Sequence, residues 1–115
     1  MALTKQQIRD RSAEMLGFNP IRQPLESNIA SRIEQAYDEI YEILKEEGLA
    51  IWGSSGNVPN KLAPFVIYLV AQNCISLGTT PERISIINIG AQEATSNIRR
   101  YVTPDYASQE EAKDY

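Results

Sequence analysis

The sequence predicts an all-α chain: a compact four-helix bundle-like domain over residues 1–103, followed by an extended acidic arm over residues 104–115. Two observations point that way. Apolar residues recur at three- and four-residue steps, the period of one helix face, and nowhere alternate with the period of two that a half-buried strand requires. Capping residues, glycines and prolines also divide the chain into segments of helical length.

Thr4 opens the first segment, and Gln7 stands three residues on, the spacing of a capping box in which each side chain satisfies an otherwise orphaned amide. Ile8, Met15 and Leu16 give this helix a narrow apolar edge, and Gly17, Asn19-Pro20 and Pro24 supply a stop and a loop. The second helix is predicted from Glu26-Ser27 to Gly48, with Ile29, Ile33, Ala36, Tyr37, Ile40 and Leu44 forming one inward stripe. Glu34, Asp38, Glu39, Glu42, Glu46 and Glu47 make its outer face acidic; the last of these lie at the unfavourable end of the helix dipole.

Residues 49–59 turn to Gly and Ser around Ile51-Trp52 and read as a loop with a hydrophobic foot. Asn60 is the expected cap of a third helix over residues 62–77, with Pro64 in its first turn and a stop at Gly78. Phe65, Val66, Ile67, Tyr68, Leu69, Val70, Ala71, Cys74 and Ile75 leave that helix almost no polar face, which places it in the middle of the bundle. Thr80 and Pro81 cap and begin a fourth helix, whose Ile84, Ile87, Ala91, Ala94, Ile98 and Tyr101 repeat in three-four alternation. Ile86 and Ile89 lie off that stripe. Either the buried face is broad, as the contacts of a four-helix domain favour, or the helix meets a second surface. Pro104 ends the order.

Composition removes several functions. With no histidine and one cysteine, the chain offers no complete metal or nucleophile motif, and no cofactor or metal is expected. Glu39, Glu42 and Glu46 share one face, so they read as a solvated surface and not as an acid and a base in unlike environments. Cys74 among apolar neighbours reads as a buried thiol, with no partner for a disulfide. The 53–57 stretch, Gly-Ser-Ser-Gly-Asn, lacks the Gly-Lys-Ser/Thr of a phosphate loop. A formal charge of −4 repels nucleic-acid phosphates, whose attraction to cationic proteins supplies most non-specific affinity. The N-terminus turns polar too early for a signal peptide, and no apolar run reaches the length of a membrane span.

Surfaces are left to carry function. Trp52 beside Ile51 is either pinned back on the core or offered to a partner. The Arg99-Arg100 pair complements the end of its helix or meets an acidic patch elsewhere.

The stretch from Glu14-Met15-Leu16-Gly17 through Glu47-Gly48-Leu49 and Trp52 to Leu62-Ala63 and Val70-Ala71-Gln72-Asn73-Cys74-Ile75 resembles the head–tail adaptor (head completion, or connector) proteins of tailed bacteriophages, particularly those of short-tailed phages. The likeness lies in the spacing of aliphatic and small residues over nearly the whole ordered chain. It departs at Thr79-Thr80-Pro81, where an aromatic-containing turn is usual, and in a short tail after Tyr106. The resemblance implies a virion structural protein, not an enzyme, that docks on the portal protein as a ring of identical copies, expected to number about twelve. Such a ring extends the DNA channel without sequence-specific binding, helps retain the packaged genome and seats a downstream tail or nozzle protein. By position, Pro104, Asp105, Tyr106 and Tyr115 would belong to the portal-binding arm. Ile51, Trp52, Ile86 and Ile89 are the inter-subunit candidates, and Glu39, Glu42 and Glu46 the channel-facing ones. A small cytoplasmic helical regulator or protein-interaction adaptor is the alternative.

Overall fold

The structure is a computed structural model that describes residues 2–20, 22–53, 57–75 and 79–102. The fold is all-α: α1 (Lys5–Leu16), α2 (Ser27–Glu46), α3 (Ala63–Asn73) and α4 (Pro81–Val102), with two-residue strands β1 (Ala2–Leu3) and β2 (Val58–Pro59). The residues of the expected arm, 104–115, lie outside those described.

Local chemistry sets the helix ends. The α1 capping box forms: Thr4 Oγ1 accepts from the Gln7 amide at 3.2 Å, and Gln7 Oε1 accepts from the Thr4 amide at 2.8 Å. Gly17 leaves α1 at φ 111°, while the Phe18 amide returns to the Ala13 carbonyl at 2.9 Å. Gly48 does the same for α2 at φ 76°, and the Leu49 amide reaches the Leu44 carbonyl at 2.7 Å. Both are Schellman ends, which require the left-handed backbone that glycine adopts without strain.

One boundary differs from the sequence reading. Asn60 does not cap α3. A turn brings the Leu62 amide to the Pro59 carbonyl at 2.9 Å, and Leu62 itself takes the cap position with its side chain buried. Burying an aliphatic anchor there outweighs a side-chain cap. α3 runs to Asn73, whose terminal groups are capped by Arg32 of α2: Nη2 donates to the Asn73 carbonyl at 2.8 Å and to Asn73 Oδ1 at 3.0 Å, while the expected stop at Gly78 lies outside the described residues. The antiparallel pairing of Ala2 with Pro59 and Leu3 with Val58 was not foreseen, since two residues are too short to show alternation.

α3 is central, packing on α1, α2 and most extensively α4. α1 and α2 run antiparallel, as the pairs Lys5–Asp38 at 2.8 Å and Arg9–Glu34 at 3.3 Å show. α3 and α4 are antiparallel too: Gln72 Nε2 donates to Asn88 Oδ1 at 3.3 Å near one end, and Phe65 stacks on Tyr101 at 5.9 Å near the other. Ile8, Ile33, Tyr37, Leu44, Val66, Val70, Ile87 and Ile98 fill the interior. At Gly90 the α3–α4 approach is too close for a side chain, because a Cβ there would enter the ring of Tyr68.

Candidate interaction surfaces

Trp52 is turned inward. Only 8 % exposed, it donates from Nε1 to Tyr37 Oη at 3.1 Å, and its carbonyl accepts from Tyr41 Oη at 3.0 Å. The Trp52 and Tyr41 rings meet edge-on at 6.1 Å. Its indole therefore belongs to the core, which corrects its place among the inter-subunit candidates. The indole N–H found a phenol in the interior, so nothing drives it to the surface. Burial pushes the Tyr37 phenol above its ordinary value, opposed by the Trp52 hydrogen bond. Its neighbour Ile51 remains 61 % exposed.

α4 carries the clearest apolar surface. Ile87, Ala91, Ala94 and Ile98 define the buried arc; Ile86 and Ile89 fall outside it, 58 % and 66 % exposed. The expectation that they complete a broad core face is corrected: only the inner stripe of α4 is buried against the rest of the domain. Beside them, Tyr68 together with Arg11, Glu14, Met15, Pro64 and Ile67 lines an open groove of about 440 Å³ between α1 and α3.

The outer face of α2 is less uniformly free than its sequence implies. Glu39 accepts from Asn73 Nδ2 at 3.2 Å and from Gln35 Nε2 at 3.4 Å, and Asp38 pairs with Lys5, whereas Glu42 and Glu46 point to solvent. Among them Ile43 is 52 % exposed, a residue that the stripe assignment passed over. The signal was there: an aliphatic between glutamates on the outer arc. Glu47 meets Arg99 of α4 at 3.9 Å.

The interior offers little chemistry. Cys74 is buried and free, and burial raises its thiol pKa, the opposite of what a nucleophile needs. Among the described residues no three His, Cys, Asp or Glu side chains converge as metal ligands, and no helix is long and apolar enough to cross a membrane. Pro104, Asp105, Tyr106 and Tyr115 fall outside the described residues. No family model, curated protein or solved structure matches the chain.

Proposed function

We propose that this chain is a structural head–tail connector of a tailed-phage virion. In this reading it docks on the portal as a ring of like copies, lengthens the DNA channel, helps hold the packaged genome and seats the next tail component. The observation that carries it is the distribution of exposed aliphatics around a closed core: Ile43 on α2, Ile51 in the loop, and Ile86 and Ile89 on α4. A ring subunit has unlike neighbours on its two sides and further partners above and below, so it needs several dissimilar contact patches. An isolated regulator that dimerises needs one.

Ile51, Ile86 and Ile89 would mark contacts with neighbouring copies or partners, while Trp52 holds the Ile51 loop from beneath. Glu42 and Glu46, with Glu39 at their edge, would face the bore and repel DNA so that it slides. Residues 104–115 would supply the portal-binding arm through Pro104, Asp105, Tyr106 and Tyr115. The test mixes the full chain with the portal protein of the same virus on a sizing column and images the complex by electron microscopy. Co-elution as a ring on the portal is expected; a portal that elutes bare removes the reading.

A further inference from the structure

The outer stripe of α4 has a charge pattern that rejects its own copy. Glu82, Ile86, Ile89 and Glu93 follow at steps of four, three and four residues, the spacing of a helix–helix seam, and all four are exposed. The isoleucine pair thus sits between two carboxylates in a seam about 16 Å long. Gly90, one turn after Ile86, carries the Tyr68 ring, which continues the apolar surface into the groove with Met15 and Pro64. Arg83, although next to Glu82, is turned away: its Nη1 donates to the carbonyls of Glu14 at 3.2 Å and Met15 at 3.4 Å.

We propose that this seam docks an amphipathic helix of a different protein, one presenting two aliphatic residues flanked a turn to either side by Lys or Arg. Charge complementarity selects that occupant. Pairing α4 antiparallel with α4 of a second copy, so that Ile86 meets Ile89, sets Glu82 against Glu93 at both ends. Sliding the register to bring Glu82 to Arg100 sets Ile89 against Glu93. Parallel pairing stacks each glutamate on its own counterpart. Like charges placed opposite one another destabilise the first and third arrangements, and the second sets a carboxylate against an aliphatic side chain in place of the Ile–Ile contact. The remaining exposed aliphatics of the described residues do not complement the seam either: Ile43 lies among Glu39, Glu42, Glu46 and Glu47, and Ile51 is in a loop. The inference stands whether or not the connector reading holds, because it follows from this face alone.

The test uses the full chain and two synthetic helical peptides of about 18 residues, each carrying an Ile-x2-Ile pair, one flanked by Lys and the other by Glu. Titrations are followed by NMR at the Ile86 and Ile89 methyls. The wild-type chain is expected to bind the Lys-flanked peptide at least about tenfold more tightly, and the Glu82→Lys/Glu93→Lys variant to reverse that preference. Glu93→Lys alone makes the seam self-complementary, so its methyl shifts should become concentration-dependent up to about 1 mM, an effect removed by adding Ile86→Ser. Equal affinity for both peptides, no methyl shift with either, or a wild-type chain that self-pairs through α4 overturns the proposal.

Discussion

Replacing Gly90 by alanine sets two effects of opposite sign against each other. Alanine in a helix interior is favoured over glycine by about 0.8–1.0 kcal/mol, so propensity alone predicts a more stable protein. The structure predicts the reverse. A Cβ at position 90 would fall within the Tyr68 ring, 2.6 Å from its Cγ and closer still to Cδ1 and Cε1. Cγ is the base of the ring, held by the α3 backbone, and cannot swing away as a flexible tip would. Relief requires either that the ring leave α4 or that the two helices separate. Overpacking of this kind costs about 1–3 kcal/mol, and the upper part of that range applies where the obstructing atom is anchored. Subtracting the propensity gain leaves Gly90→Ala less stable by about 1–2 kcal/mol in chemical denaturation. In a Tyr68→Ala background the obstruction is gone, and the same substitution should become stabilising by about 0.5–1 kcal/mol. An equal effect of Gly90→Ala in both backgrounds would refute the argument, as would a wild-type-like single variant.

Three further outcomes follow from the same kind of reasoning. Gly48→Ala should cost about 1–2 kcal/mol in urea unfolding through backbone strain alone, because φ is 76° and, among the described residues, no atom beyond its chain neighbours lies within 4 Å of an added Cβ. Ser12 is fully buried with an Oγ that has no hydrogen-bond partner among the described residues, so Ser12→Ala should raise stability by about 1 kcal/mol, read as an increase in the denaturation midpoint. Tyr37 has a folded pKa above its ordinary 10.0, so its contribution is complete below that pH and is lost as pH rises through the folded value. Tyr37→Phe, which leaves the Trp52 indole N–H without its acceptor, should cost about 1 kcal/mol near neutrality and should flatten the alkaline fall in stability, as followed by circular dichroism.

Much of the fold was legible because its signals are local. The Thr4–Gln7 box, the glycines at 17 and 48 and the three-four stripes each act within a few residues and appear where the sequence puts them, except that Tyr101, at the end of the α4 stripe, is half exposed and stacks on Phe65. What could not be read depends on contacts distant in sequence. Arg32 capping Asn73 of α3 and Arg83 holding the end of α1 reach across 41 and 69 residues. Trp52 lies in a loop with no periodicity to orient it, so its direction was decided by the tyrosines it met. Periodicity located the centre of the α4 stripe and not its width, which depends on how much of α4 the facing helix covers. Ile86 and Ile89 therefore resolved as surface only once α3 was in place. For the candidate site the limit is similar: shared faces were readable, whereas Glu39 being drawn to Asn73 required the end of α3.

Helix α4 is braced near both ends, by Arg83 on the terminal carbonyls of α1 and by Arg99 against Glu47, the residue that caps the end of α2. A partner that meets it encounters a strut whose backbone gave up its freedom during folding, so little conformational entropy remains to be lost on contact. Complexes built on this helix should therefore form with modest ordering cost, and loosening either brace should weaken them without altering a single residue at the contact.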